Sequence, residues 1–238
     1  MSAHLNIVDW GFVPFAEAWA RQKALVESRA ADTISDTLVF CEHGPTVTLG
    51  RASQRERADI ILNPNLPVFE IERGGHATYH GPGQIVAYPV VRLGAGQAGA
   101  SQRPGIMTLI RGLEHWVATT LRLDFSLDAF GDTERTGVWL KCQRDGRERK
   151  IASIGIAARH WVSYHGLALN LSTGAEPWTW INPCGFDSSV MTDVQTETGR
   201  LVSYAEMRDK LATRLDLLLA PRASGAKPVQ YFAMPFKR

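Results

Sequence analysis

Apolar residues recur along this chain at two spacings, and the spacing sorts the elements. Between residues 106 and 121, Ile106, Leu109, Ile110, Leu113, Trp116, Val117 and Leu121 return every three or four positions. That period puts them on one stripe of an amphipathic helix packed against a sheet or another helix. A second helix is expected over 15–31, where Phe15, Trp19, Leu25 and Val26 form a broad stripe. A third opens at Ser203-Tyr204-Ala205-Glu206, which has the form of a capping box, and runs to about 219 before Pro221 stops it. Shorter apolar runs predict strands over 37–41, 46–49, 68–71, 85–91, 137–140 and 151–157, with a further extended run over 161–171. The polar turn 143–149 joins two of them as a hairpin would. Strands outnumber helices and short turns join several of them. The expectation is an α+β fold: a mixed, mostly antiparallel sheet flanked by helices. With no internal repeat and no linker, residues 1–222 read as one domain. The tail 223–238 is apolar enough over 229–236 to dock back on it.

One stretch breaks the apolar pattern. Glu72-Arg73-Gly74-Gly75-His76-Ala77-Thr78-Tyr79-His80-Gly81-Pro82-Gly83-Gln84 sits between two strand-like runs and is dense in turn residues. It reads as a loop outside the core, held on a rigid scaffold, whose backbone N–H groups approach a ligand closely. Arg73, Tyr79 and His80 would add directed polar contacts. The segment is a candidate substrate cradle.

Composition narrows the class. A hydrophobic content of 45%, a charged content of 21% and a net charge of +2 over 238 residues describe a soluble globular protein, not a dedicated nucleic-acid binder. Arg51, Arg55 and Arg57 form one basic cluster, and Arg144, Arg147, Arg149 and Lys150 another; each is a solvated loop or a docking surface for an acidic partner. The first residues lack a signal-peptide pattern, and no apolar run reaches membrane-spanning length. Cysteines at 41, 142 and 184 are odd in number and lack CxxC spacing, which excludes a disulfide framework and a zinc ribbon. The expected compartment is the cytoplasm, with free thiols.

Several motifs fail on context. Gly94-Ala95-Gly96-Gln97-Ala98-Gly99 matches GxGxxG, but the helix begins only after Pro104, so the segment reads as a surface loop. His76 and His80 have the spacing of a zinc helix, yet the glycines around them forbid a helix and the glutamate of HExxH is missing, so no metal is expected. Three His-Gly pairs, at His43, His80 and His165, lie beside strand-like runs and invite convergence on one pocket.

Each cysteine has its own reading. Cys41 lies in an apolar run and looks like an inert core thiol. Cys142, beside basic residues, reads as an exposed bystander on a hairpin. Cys184, in Pro183-Cys184-Gly185, sits at a fixed turn with little bulk around the sulfur, which suits a nucleophile. A thiol reacts as thiolate and so needs a cationic neighbour. Lys150 is a candidate because it enters the apolar strand 151–156; alternatively it is the last charge of a basic loop.

Four blocks together resemble the lipoyl(octanoyl) transferases of the biotin/lipoate ligase superfamily. They are Arg73-Gly74-Gly75 with Thr78-Tyr79-His80-Gly81-Pro82-Gly83-Gln84, then Lys150-Ile151-Ala152-Ser153-Ile154-Gly155, then His165-Gly166-Leu167-Ala168-Leu169-Asn170, then Pro183-Cys184-Gly185. Glu42-His43 with Thr48-Leu49-Gly50-Arg51 is similar to that family's first motif. The blocks stand in family order over residues 40–190. Gly44 stands where the family has a proline, and His76 where glutamine is frequent.

The resemblance implies a biotin/lipoate protein ligase-like fold with octanoyltransferase activity over 1–222. An octanoyl or lipoyl group would pass from octanoyl-acyl carrier protein to a lysine of lipoyl domains. The acceptors it implies are the lipoyl domains of 2-oxoacid dehydrogenase E2 subunits and the glycine cleavage H protein. Cys184 matches the acyl-thioester nucleophile and Lys150 the lysine that lowers its pKa. Arg73, Gly74, Gly75, His76, Ala77, Thr78, Tyr79, His80, Ser153, Ile154, Gly155, Gly166, Leu167 and Ala168 match substrate-binding positions. No ATP or other cofactor is implied, and no metal. Two rival readings are an ATP-dependent lipoate or biotin ligase, which needs no nucleophilic cysteine, and a non-catalytic carrier- or lipoyl-domain-binding protein, which needs neither Lys150 nor Cys184.

Overall fold

The computed structural model describes residues 5–56, 63, 65–94, 103–181 and 188–219. The chain enters through strand β1 (Leu5–Phe12), crosses helix α1 (Phe15–Ala30) and returns in β2 (Asp36–Glu42), parallel to β1. A parallel pair requires such a crossover, and α1 supplies it. Then come β3 (Thr46–Leu49), the short helix α2 (Arg51–Glu56), β4 (Val68–Glu70), β5 (Ala77–His80) and β6 (Gln84–Val90). Helix α3 (Ile106–Phe125) leads to β7 (Ala129–Gly131), β8 (Val138–Lys141), β9 (Glu148–Arg159) and β10 (Val162–Asn170). Helices α4 (Val194–Thr198), α5 (Tyr204–Ala212) and α6 (Asp216–Leu219) follow.

Seven strands form one sheet in the order β1-β2-β6-β10-β9-β8-β7, antiparallel at every pairing except β1 with β2. A smaller sheet orders β4-β3-β5, with β3 parallel to β4 and antiparallel to β5. The large sheet is covered on both faces, and the two-residue period assigns each side chain to one of them. Leu38, Phe40, Ile85, Ala87, Leu167 and Leu169 pack with the α3 stripe of Leu109, Leu113, Trp116, Val117 and Leu121. Val39, Cys41, Val86, Tyr88 and Ala168 pack with Val13, just before α1, and with Ala18 in its first turn. The α+β fold with a mostly antiparallel sheet is what the pattern led one to expect.

Several boundaries differ from expectation. The Ser203 cap forms, its hydroxyl accepting the Glu206 N–H at 3.1 Å, but α5 ends at Ala212. The Trp116 indole N–H donates to the Leu211 carbonyl at 2.9 Å, and the chain then turns to bury Leu215 and Leu218 against α3. An end carbonyl with an outside donor lets a helix stop early. Cys142 is buried and not an exposed bystander: Val138, Leu140 and Cys142 alternate onto the α3 face, and the Cys142 N–H donates to the Arg147 carbonyl at 2.8 Å. The 72–84 segment is not wholly a loop outside the core. Ala77–His80 is a strand with all four residues buried, because β3 supplies hydrogen-bond partners along it. The GxGxxG segment beyond Gly94 and the tail after 219 lie outside the described residues.

Candidate active site

Arg73 stands at the head of the site and is 8% exposed. Its guanidinium donates to the Thr48 carbonyl at 2.7 Å, the Thr48 hydroxyl at 2.9 Å and the Gly74 carbonyl at 3.0 Å. The Gly74 N–H donates to the Ile156 carbonyl on β9 at 3.2 Å, which ties the loop to the large sheet. A Cβ on Gly155 would sit 2.8 Å from Arg73 Cδ and 3.0 Å from the Gly74 carbonyl, so glycine is required where the loop crosses β9.

Between this loop, β5, β9 and β10 lies a cavity of about 260 Å³. Arg73, Gly75, His76, Ala77, Thr78, His80, Lys150, Ser153, Ile154, Gly155, Gly166, Leu167 and Ala168 line it, so three separate sequence blocks converge there. Gly74 and Tyr79 do not line it. Gly74 is turned to Ile156, and the alternation of β5 sends Tyr79 to the opposite side, against Trp178 and Trp180. Phe15, Ile71, Val86 and Tyr88 add an apolar wall fit for an alkyl chain. Cys184 lies outside the described residues.

Lys150 is 5% exposed, which sets aside its reading as the last charge of a solvated loop. Its ammonium lies 5.6 Å from the centre of the Trp139 ring, and Trp139 also lines the cavity. Around it the basic cluster is largely compensated: Arg149 pairs with Asp145 at 2.6 Å and Arg144 with Glu197 at 3.2 Å. Neither Trp139 nor Gly137 was singled out by the sequence. The Gly137 backbone sits at φ +132, and a Cβ there would come within 2.6 Å of Lys150 Cε. Only the folded hairpin reveals that pairing.

The three histidines of the His-Gly pairs do come together. His80 and His165 line the cavity, and the His43 ring meets the His80 ring edge-on at 5.8 Å. Burial lowers all three from the usual imidazole value of 6.5: His43 to about 4, His80 to about 3 and His165 to about 4. They are neutral near pH 7. His43 donates from Nδ1 to the Val13 carbonyl at 2.8 Å, and Nε2 accepts the Tyr88 hydroxyl at 2.7 Å. His165 adopts φ +58 within β10, and its N–H donates to the buried Gln22 Oε1 at 2.8 Å. Such a backbone in a non-glycine residue carries strain of the kind concentrated at functional sites. The Cys41 thiol is pushed well up by burial, which suits an inert core residue. Among the described residues no group of three or more His, Cys, Asp or Glu is placed to hold a metal ion, and no helix is long and apolar enough to cross a membrane.

This is the fold of the lipoate and biotin protein ligases. A crystal structure of lipoate-protein ligase A bound with ATP superposes with a TM-score of 0.64 at 16% identity, covering 98% of this chain and 90% of that one. The biotin protein ligase of Aquifex aeolicus, in complex with biotin and ATP, superposes at 0.51 with 11% identity, over 91% of this chain and 70% of that one. Within that class, residues 14–216 match the lipoyl protein ligase A/B catalytic domain, and the chain belongs to that family. The octanoyltransferase of Bdellovibrio bacteriovorus is 36% identical over 224 residues, 90% of this chain and 98% of that protein.

Proposed function

We propose that this chain is an octanoyltransferase of protein lipoylation that works through a thioester on Cys184. The donor is octanoyl-acyl carrier protein, and the acceptor is a specific lysine on a lipoyl domain, of 2-oxoacid dehydrogenase E2 subunits or of the glycine cleavage H protein. The observation that carries this reading is the burial of Lys150 in the wall of an apolar-sided cavity that the Arg73 loop also lines. An ammonium held there favours the anionic form of a thiol brought beside it.

The chemistry balances without ATP. The Cys184 thiolate attacks the thioester carbonyl carbon, a new C–S bond forms, the carrier's C–S bond breaks, and the carrier leaves as a thiol with the proton of the Lys150 ammonium. The acceptor lysine amine then attacks the acyl-cysteine; a C–N bond forms, the C–S bond breaks, and Cys184 leaves as thiolate. Lys150, neutral at that stage, takes the proton the amine loses. The remaining cradle residues bind the acyl group and position its carbonyl.

The test is a transfer assay with octanoyl-acyl carrier protein and an unmodified lipoyl domain, without nucleotide. Mass spectrometry should find one octanoyl group on the acceptor lysine. Transfer only from free acid with ATP would instead identify a ligase. Lys150→Ala should stay folded while Cys184 alkylates more slowly near pH 7, by about tenfold for each pKa unit the thiol rises. An unchanged alkylation rate would remove Lys150 from that role.

A further inference from the structure

The floor of the cavity changes size from strand to strand. β9, β10, β6 and β2 lie side by side in the large sheet, and their registers set two rows across it. One row is Ser153, Ala168, Val86 and Cys41, each paired with the next. The other begins with Gly155 paired to Gly166 and reaches Tyr88 on β6, itself paired with Val39. Ser153, Gly155, Gly166 and Ala168 are small and leave a trough over β9 and β10. Gly166 permits nothing larger, because a Cβ there would fall 1.9 Å from the Ala87 carbonyl oxygen. Val86 and Tyr88 are large and raise a wall over β6. Phe15, from the start of α1, braces that end: its ring meets His43 at 5.4 Å, and the Tyr88 hydroxyl donates to His43 Nε2 at 2.7 Å. Exposure falls in the same direction. Of the residues lining the cavity, Gly75 and Glu134 are exposed, Ser153, Gly155 and Gly166 are half-buried, and Ala168, Val86, Tyr88 and Phe15 are buried. The cavity opens on the β8 and β9 side and is closed at β6.

We infer that the acyl chain lies across β9 and β10 with its methyl end against Val86, Tyr88 and Phe15, and that this wall sets the upper limit of its length. The inference rests on the octanoyl-transfer reading and adds what measures the chain. From β9 to β6 is two strand spacings, about 10 Å. An extended octanoyl chain, a zigzag of seven carbon–carbon bonds of about 1.5 Å, is about 9 Å long and just reaches the wall. Two further methylenes would add about 2.5 Å and run into it. The wall yields little. His43 holds the Tyr88 hydroxyl and itself donates to the Val13 carbonyl at 2.8 Å, while Phe15 is stacked on the His80 ring at 5.7 Å. A close-packed interior resists added volume. A chain that stops short leaves the end of the trough unfilled and forfeits about fourfold in binding for each missing methylene.

The limit is read from kcat/KM for transfer to a lipoyl domain from hexanoyl-, octanoyl-, decanoyl- and dodecanoyl-acyl carrier protein. Wild type should favour octanoyl over dodecanoyl by at least about tenfold, the discrimination expected of a rigid pocket. Val86→Ala takes bulk from the wall and should raise the decanoyl-to-octanoyl ratio about tenfold. Ala168→Val fills the trough one strand earlier and should raise the hexanoyl-to-octanoyl ratio by a similar factor. The two variants move the preference in opposite directions, which loss of stability alone would not do. Should one fail to fold, the other carries the test. An unchanged ratio in a folded variant, or equal wild-type rates on octanoyl and dodecanoyl, would overturn the inference. Free fatty acids of the same lengths, followed by the thermal shift each gives the full chain, probe the cavity without transfer. A cutoff after octanoate that the variants move, with no transfer from any carrier, would support the wall and sink the octanoyl-transfer reading. Transfer with no cutoff in either measurement would keep that reading and sink the wall.

Discussion

The placement of Lys150 depends on a residue that does no chemistry. Gly137 lies beside it in the hairpin, at φ +132, with room for a hydrogen where any other residue has a carbon. Adding a methyl at 137 would bring it within 2.6 Å of Lys150 Cε and 2.7 Å of the Ala152 carbonyl. Gly137→Ala should therefore cost about 1–3 kcal/mol in backbone strain and displace the amine. The expected result is a folded enzyme with a lower urea midpoint and at least a tenfold loss of transfer; retention of full activity would show that Lys150 tolerates movement. Lys150 was legible in the sequence because it begins an apolar strand. Gly137 was not, because its partner is thirteen positions away, across a turn. Cys142 shows the opposite case: the alternation Val138, Leu140, Cys142 was there to be read, and the neighbouring charges hid it.

Elements with a strong period were read well, and those shaped by their neighbours were not. Helix α3 carries its stripe in plain sequence, and its buried face holds the sheet that presents β9 and β10 to the cavity. Trp116 is wholly buried and also caps Leu211, so Trp116→Ala should destabilise the protein by about 3–5 kcal/mol, read as a fall in the urea midpoint. Strand β1 escaped notice because Asn6, Asp9 and Gly11 dilute its apolar residues; it exists because α1 returns the chain to pair it with β2. Strand β5 was hidden among glycines, where pairing with β3 overrides a turn-like composition. Glu114 ties α3 to the hairpin of β8 and β9: its buried carboxylate accepts the Gly137 N–H at 3.0 Å and pairs with Arg111 at 2.5 Å. No sequence period marks such a residue; a polar side chain on an apolar stripe was the only sign of it.

The site sits where two sheets meet α1, and that junction buries three neutral histidines. Their pKa values are lowered on folding, so between about pH 6.5 and 4 the unfolded chain binds protons that the folded one refuses. Stability is therefore fully present above pH 6.5 and is lost as pH falls toward 4. The urea midpoint should drop between pH 7.5 and 5, by an amount equivalent to roughly a few kcal/mol. A flat midpoint across that range would mean the histidines are not held neutral.

The acyl-enzyme itself offers the most direct check. Protein incubated with octanoyl-acyl carrier protein and no acceptor should gain the mass of one octanoyl group, mapped to Cys184, removed by hydroxylamine and released when a lipoyl domain is added. Cys184→Ser should show no hydroxylamine-sensitive adduct and no transfer. Full transfer by Cys184→Ser, or octanoylation of the acceptor with no adduct ever forming on the enzyme, would contradict the thioester route.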